Sequence, residues 1–430
     1  MKEFPVILLL IICLAIIVWS FYKQQRIYQF PFLVAIAFTG FIVPQGFGIY
    51  NQPGYVDPYA LDMTMVMAIL CVSCCWTGYL CTKPSYKFLS TIDFKVSIDK
   101  LFQFGIIYSI IGSIFFVFLG NLPTNVLSQT WSGVLVIYNF FAQLAYLGFS
   151  LLLVSTLRKP SAYRWICCGL ASTWPLIRLV FFGRRTEAAI LASIIFASLF
   201  LVRRFFIPRK ILVTCLVLGV FFIYGIEGYR SLLAENIQDS GNQKFTIENV
   251  IELAKGTTQI DWIETFQKTF GGQQISELRY AASLIEVTYE SGQYGFGTIY
   301  WNRLINAYVP SQFLGRDFKN SLLIRISDIS DLIQEKEVAF SGLTVTSVGE
   351  LFHEFWFFGA FIYCLISSFF KQIWILAFRY YNAFYQILYT LILPLAFITV
   401  VDGTSGFLQQ LVYYLFFLFP VLSYSRFEKK

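Results

Sequence analysis

Residues 4–22 read FPVILLLIICLAIIVWSFY, an apolar run without a charged side chain. A helix needs about 20 predominantly apolar residues to cross the hydrocarbon core of a membrane, which is roughly 30 Å thick. No small-residue cleavage site of the A-x-A type stands directly after the run, so it is not typical of a removed signal peptide. We therefore expect a first membrane-spanning helix here, retained in the mature protein.

Runs of the same kind recur along the chain. Because a backbone in lipid must satisfy its own hydrogen bonds, each run predicts a helix. Hydrophobic residues make up 57% of the 430 residues and charged residues 13%, whereas about a quarter of a soluble domain is charged. The predicted fold is all-α, a polytopic membrane helix bundle with about 11 spans. The later runs cover residues 31–50, 61–81, 101–119, 131–157, 164–182, 186–202, 210–227, 348–370, 383–401 and 406–425.

Positive charges collect in alternate connections between these runs. Cytoplasmic loops of membrane proteins are enriched in lysine and arginine, so these connections are predicted to face the cytoplasm. The opposite short connections, at 51–60, 120–130 and 402–405, carry no lysine or arginine. The N-terminus is then outside and the C-terminus in the cytoplasm. The eighteen cytoplasmic charges are Lys23, Arg26, Lys83, Lys87, Lys95, Lys100, Arg158, Lys159, Arg164, Arg203, Arg204, Arg209, Lys210, Lys371, Arg379, Arg426, Lys429 and Lys430.

This orientation divides the chain into three predicted parts. Residues 1–227 form an N-terminal bundle of eight spans, residues 228–347 a large helical extracytoplasmic (periplasmic) loop domain, and residues 348–430 a C-terminal segment of three spans. The loop holds ten Lys/Arg and fourteen Asp/Glu, so the net charge of +7 comes from the orienting loops and no nucleic-acid partner is expected. Apolar spacing in the loop predicts an amphipathic helix, which either roofs a cavity or belongs to a cap with its own core: Ile275, Leu278, Ala282, Ile285 and Tyr289.

The sequence lacks the motifs of several common kinds of catalytic site. The sequence has no glycine-rich phosphate loop, no Gly-x-Ser-x-Gly and no Asp-x-Asp, and it contains one histidine. All nine cysteines lie in apolar runs, which indicates packing rather than a metal or redox site. We therefore expect no metal and no cofactor, and a reaction that uses an already activated substrate.

Four charged residues lie where the sixth and seventh predicted spans meet: Arg178, Arg184, Arg185 and Glu187. Loop orientation gives no reason for Arg184 and Arg185 on the outer side. The guanidinium group presents a fixed fork of donors that matches phosphate oxygens in pairs. We interpret this group as a site for the diphosphate of a lipid-linked substrate. The alternative is arginines that reach lipid headgroups, together with a structural Arg–Glu pair.

A second group opens the helix after the loop, where residues 349–359 read GELFHEFWFFG. On a helix, Glu350 lies beside His353 at i+3 and Glu354 at i+4. A helix N-terminus favours negative charge, which would keep Glu350 ionised. Glu350 and His353 are therefore the candidate catalytic residues. The alternative is ordinary N-terminal helix charge, with a histidine in the interfacial aromatic belt.

A third group lies in the loop, where residues 294–310 read YGFGTIYWNRLINAYVP. Asn302, Arg303 and Asn306 are predicted to share one polar helix face beside aromatic residues. Amide and guanidinium groups next to aromatic rings suit a sugar, which forms hydrogen bonds at its rim and stacks on its face. A solvated helix face is the alternative.

These stretches and the layout resemble the O-antigen polymerases of bacteria, the Wzy-type oligosaccharide repeat-unit polymerases. The resemblance covers the architecture of most of the chain, with many spans and one large outer loop late in the sequence. Its local motifs are Gly183-Arg184-Arg185, the tyrosine–glycine run 294–297 that leads to residues 305–310, and Gly349-Glu350 followed by Phe358-Gly359.

The resemblance implies a metal-independent glycosyltransferase of the bacterial inner membrane. Its substrate would be oligosaccharide repeat units on undecaprenyl diphosphate, for O-antigen, capsule or exopolysaccharide. Arg184 and Arg185, with Arg178, would stabilise the leaving diphosphate, and Glu350 or His353 would accept the proton of the attacking hydroxyl. Expected partners are membrane lipid and, by the same resemblance, a chain-length regulator protein. Two other classes stay open: an O-antigen ligase, and a polysaccharide transporter or flippase.

Overall fold

A computed structural model of the chain describes residues 3–54, 56–83, 96–120, 134–182, 185–206, 208–211, 214, 277–324 and 345–426, without the side chains of 179–182, 185, 186 and 313. Within these ranges the chain is all-helical, without a β-strand. The helices are α1 (Phe4–Tyr22), α2 (Phe30–Ala37), α3 (Val43–Asn51), α4 (Pro58–Cys81), α5 (Ile98–Gly120), α6 (Val134–Ala142), α7 (Leu144–Arg158), α8 (Ala162–Phe182), α9 (Arg185–Arg203), α10 (Glu277–Ser291), α11 (Thr298–Tyr308), α12 (Ser311–Leu314), α13 (Arg316–Leu322), α14 (Thr346–Phe355), α15 (Phe361–Phe378), α16 (Ala383–Ile392), α17 (Leu395–Val401) and α18 (Thr404–Ser425).

Eight helical segments in these ranges are long and apolar enough to cross a membrane. The prediction of a polytopic helical membrane protein is therefore confirmed at that level. The predicted spans 164–182 and 186–202 correspond to α8 and α9, which are not among the eight, and some of their side chains are not described. Most of the span 210–227 lies outside the described residues. The number eleven stays a prediction. The eight segments are Phe4–Tyr22, Phe30–Asn51, Pro58–Cys81, Ile98–Gly120, Val134–Arg158, Thr346–Phe378, Ala383–Val401 and Thr404–Ser425.

The chain divides into two compact units. The first unit consists of Met1–Asp93, Lys268–Tyr380 and Ile392–Phe419. In it α4 packs against α1 and α15, and α14 packs against α10 and α17. The predicted domain boundaries after residues 227 and 347 remain predictions.

The second unit consists of Phe94–Gln267, Tyr381–Leu391 and Pro420–Lys430. Its central helix is α7, which is buried at every position from Leu144 to Leu157. Helices α5, α8 and α9 all pack against it. A helix that is apolar on all sides needs neighbours on all sides, and this explains why the run 131–157 carries no charge before Arg158.

The run predicted as one span at 348–370 is interrupted. Helix α14 ends at Phe355, a 3₁₀ turn follows over Trp356–Ala360, and α15 begins at Phe361. The turn brings Gly359 so close to the carbonyl oxygen of Leu351 that an added Cβ would overlap it. Only glycine fits such an approach, and the run is interrupted here instead of continuing as one straight helix.

The helix predicted from Leu278, Ala282 and Ile285 exists as α10. It packs against α3, α4 and α14 of the first unit rather than around a core of its own. Glu286, a charged residue outside that apolar pattern, is 2% exposed. The spacing of apolar residues predicted the helix correctly, but not the burial of its other face.

Candidate functional site

Helix α14 carries three titratable side chains into the interior of the first unit. Glu350 is 2% exposed, His353 is 2% exposed and Glu354 is fully buried. Burial of a polar or charged group is unfavourable unless hydrogen bonds replace those to water. Each of the three must therefore have partners, and the partners come from different elements.

Glu350 is bound by the first turn of α18. Thr404 Oγ1 donates to Glu350 Oε1 at 2.6 Å, and the backbone N–H of Ser405 donates to the same oxygen at 2.8 Å. Ser405 Oγ donates to the other carboxylate oxygen. The first N–H groups of a helix lack partners within the helix and favour an anion. The carboxylate of Glu350 takes that place for α18.

The turn before α18 requires glycine at 403. Its φ is +93°, in the left-handed region that residues with a side chain rarely adopt. A Cβ at this position would also overlap the Glu350 carboxylate. Both features allow the backbone to wrap closely around the carboxylate, so that Thr404 and Ser405 reach it together.

Arg303 of α11 is bound to the same turn. Its guanidinium group forms an ion pair with Asp402, donates to the Asp402 carbonyl oxygen at 3.0 Å and donates to Gln409 Oε1 at 2.8 Å. It also donates to Ser405 Oγ at 3.3 Å. Burial raises the pKa of Asp402, and the charge of Arg303 opposes that shift. Arg303 therefore connects α11 to the residues that hold Glu350.

Tyr300 is the second residue of α11 that reaches this turn. Its hydroxyl forms a hydrogen bond with Thr404 Oγ1. Burial and the negative charge of Glu350 both raise the pKa of Tyr300. The phenol is therefore held in its neutral form, with its proton available for donation. We call Tyr300, Arg303, Glu350, Asp402, Thr404 and Ser405 the Glu350 cluster.

His353 and Glu354 lie outside the Glu350 cluster. His353 Nδ1 forms a hydrogen bond of 2.9 Å with Thr288 Oγ1 of α10. Glu354 accepts the backbone N–H of Ile299 at 2.7 Å and that of Gly297, which caps the start of α11. The i+3 and i+4 spacing correctly predicted that these side chains lie on the same helix as Glu350. Their hydrogen-bond partners differ, however, because His353 binds α10 and Glu354 caps α11.

Asn302 and Asn306 do not join Arg303 in one polar site. The side chain of Asn302 donates to the carbonyl oxygen of Ile324 at 2.8 Å and accepts the Ile324 N–H at 2.9 Å. Asn306 is exposed. The side chains of Asn302 and Arg303 bind different neighbours, so these contacts do not unite the three residues, and their role in sugar binding stays a prediction.

The predicted diphosphate site belongs to the second unit. Arg178 Nε lies 3.2 Å from Glu187 Oε1, and Tyr146 donates to the other carboxylate oxygen. The Arg178 guanidinium lies 4.9 Å from the centre of the Phe116 ring. Arg184 lies outside the described residues, and Arg185 begins α9 with a side chain that is not described.

Two parts of the Glu350 cluster were not singled out in the sequence. One is Tyr300, which in the sequence is only one of several aromatic residues near Asn302 and Arg303. The other is 402–405, which in the sequence is only a short connection without lysine or arginine. The stretch Asp402-Gly403-Thr404-Ser405-Gly406, five small or polar residues between two apolar runs, was the available signal.

Comparison of the chain with protein-family models, with curated proteins and with solved structures found no match. The geometry of the described residues is therefore the basis for the function.

Proposed function

We propose that this chain is a glycosyltransferase that polymerises undecaprenyl-diphosphate-linked oligosaccharide repeat units at the outer face of the bacterial inner membrane. The observation that carries the proposal is the Glu350 cluster. A buried carboxylate with three donors is connected there, through Tyr300 and Arg303, to a loop helix that also carries Trp301 and Asn302. The cluster supports a general base next to α11.

The proposed reaction joins two lipid-linked glycans. A hydroxyl of the acceptor repeat unit attacks the anomeric carbon of the donor, the bond to the lipid diphosphate breaks, and its electron pair leaves with the diphosphate. The hydroxyl proton passes to Glu350, and a positioned base of this kind contributes about 10²–10⁴-fold. Arg184 and Arg185 are proposed to stabilise the charge on the leaving diphosphate. Arg178 is already paired with Glu187, which supports a structural role for it.

His353 is less suited to be the base than Glu350. Its Nδ1 is bonded to Thr288 of α10, which lies outside the Glu350 cluster. The proposal therefore assigns the proton to Glu350 and leaves His353 as a residue that joins α14 to α10.

The test uses purified protein in detergent, supplied with lipid-linked repeat units. Wild-type protein should extend single repeats into polymer, and Glu350→Gln should leave single repeats. Glu354→Gln is the matched control, because it makes the same change one turn along α14 at a residue that caps α11. Polymer of wild-type length from a folded Glu350→Gln protein would reject Glu350 as the base.

The same preparation tests the other functions. A ligase would leave repeats unlinked to each other and transfer finished glycan to a second lipid. A transporter or flippase is favoured by one observation, the interruption of the candidate span Thr346–Phe378, since broken helices often line transport sites. Transport needs two compartments separated by a membrane, and detergent micelles provide none. Polymer formed in micelles would therefore show that transport is not the only activity of the chain.

A further inference from the structure

The burial of Glu350 and its hydrogen bonds restrict how a substrate hydroxyl can reach its carboxylate. Its side chain is 2% exposed, and both of its oxygens are occupied by donors from Thr404 and Ser405. A general base must come within about 2.6–3.2 Å of the hydroxyl from which it takes a proton, directly or through an intermediate group. A sugar hydroxyl cannot reach this carboxylate directly, so the proton needs a carrier.

The direction of the hydrogen bonds around Thr404 follows from counting protons. An ionised carboxylate only accepts, and a threonine hydroxyl has one proton to donate. Because Thr404 gives that proton to Glu350 at 2.6 Å, its oxygen must accept in the bond with Tyr300. The chain of donors therefore runs from Tyr300 to Thr404 to Glu350.

Ser405 follows the same rule but leads to no exposed hydroxyl. An arginine only donates, so Ser405 Oγ accepts from Arg303 and gives its own proton to Glu350. A guanidinium group does not release a proton in proteins. The hydrogen bonds through Ser405 therefore cannot carry a substrate proton to Glu350. Those through Thr404 begin at Tyr300, a half-buried residue of α11 whose oxygen has lone pairs left to accept a hydrogen bond.

We infer that Tyr300 contacts the acceptor hydroxyl and that Thr404 relays its proton to Glu350. This inference rests on the proposed function. As the acceptor oxygen bonds to the anomeric carbon, its proton passes to Tyr300, the phenol proton passes to Thr404, and the threonine proton passes to Glu350. The three transfers together move one proton from the acceptor to Glu350, which becomes a carboxylic acid, and Tyr300 and Thr404 end as neutral hydroxyl groups. The reverse path returns the proton after the product leaves.

The experiment measures kcat and KM for lipid-linked repeat units with purified variants. Tyr300→Phe and Thr404→Val should each lower kcat by about 10²-fold or more, with KM changed less than threefold. Thr404→Ser keeps the relaying hydroxyl and should stay within about fivefold of wild type. The double variant Tyr300→Phe/Thr404→Val should be no slower than either single variant, because both remove the same path.

Tyr308→Phe is the matched control. Tyr308 lies on the same helix, but its hydroxyl donates to the backbone carbonyl of Gln409 and not to Thr404. It should retain wild-type kcat, and thermal unfolding of every variant in detergent separates lost catalysis from lost folding. Wild-type kcat in Tyr300→Phe, or equal losses in Thr404→Ser and Thr404→Val, would overturn the relay. Glu350→Gln would still be inactive in that case if the proposed function holds, so the two failures are distinguishable.

Discussion

Arg303 of α11 donates hydrogen bonds to both the side chain and the carbonyl oxygen of Asp402 in the turn before α18. The same guanidinium group contacts Ser405, which donates to Glu350. A residue of the predicted loop is thus joined through two contacts to a carboxylate inside the first unit. The position of α11 and the environment of Glu350 are therefore expected to change together.

Arg303→Lys should test that connection. Lysine has three donors on one nitrogen and cannot reproduce the fork that reaches Asp402, Ser405 and Gln409 at once. Loss of a hydrogen bond involving a charged group lowers the free energy of unfolding by about 1.5–3 kcal/mol. We expect this loss in thermal unfolding, together with reduced polymer formation. Arg316→Lys, the same change at an exposed arginine, should have neither effect.

Gly403→Ala should be more destabilising than Gly292→Ala. Both glycines have positive φ, at +93° and +66°, so both variants include the roughly 1–2 kcal/mol penalty of a left-handed residue with a side chain. An added Cβ meets nothing within 4 Å at Gly292, but it overlaps the Glu350 carboxylate at Gly403. Equal melting temperatures for the two variants would show that the turn does not hold Glu350 tightly.

The spans were predictable because lipid imposes one rule on every residue of a run. A spanning segment must be apolar and must satisfy its own backbone, so composition alone located eight segments that the structure contains. The interruption around Gly359 was not predictable, because it depends on the approach of that residue to Leu351. Nothing in a local apolar pattern specifies such an approach.

The candidate site was predictable only in part, for a related reason. Helical spacing placed Glu350, His353 and Glu354 on one helix, and this is confirmed. Their partners, however, lie more than 50 residues away in the sequence: Thr404 and Ser405 for Glu350, and Thr288 for His353. A single sequence contains no local signal for these contacts, so the division of roles within α14 could be found only from the fold.

Glu354→Ala should destabilise α11 without removing the proposed base. The carboxylate caps α11 through the N–H groups of Gly297 and Ile299, and loss of such a cap typically costs about 0.5–2 kcal/mol. Limited proteolysis should cut the region around α11 faster, while polymer still forms at reduced stability. Glu290→Ala, at a carboxylate bonded to Tyr59 at the exposed end of α10, serves as the surface control.

The orientation prediction can be tested with single cysteines in a cysteine-free variant. The asymmetry of loop charge predicts positions 125 and 259 outside and position 87 in the cytoplasm. Cysteines in place of Asn125 and Gln259 should react with an impermeant thiol reagent in intact cells, and one in place of Lys87 should not. The opposite labelling pattern would show that the topology is inverted and that the proposed site faces the cytoplasm.

The arginines near the start of α9 are expected to separate into two kinds. Arg178 is paired with Glu187, whose side chain is 5% exposed and also accepts from Tyr146. Removal of one partner of a buried pair is destabilising by about 3–5 kcal/mol, because the other charge is left without compensation. Arg178→Ala should therefore lower the melting temperature in detergent, and Arg178→Leu/Glu187→Leu should recover much of that loss.

Arg184→Ala and Arg185→Ala should instead leave the melting temperature unchanged and reduce the rate about ten- to a hundredfold, as expected for one lost contact to a charged group of about 1.5–3 kcal/mol. Lysine at 184 or 185 should restore little, because it lacks the paired fork. If both alanine variants still make full-length polymer, the diphosphate role belongs to other residues.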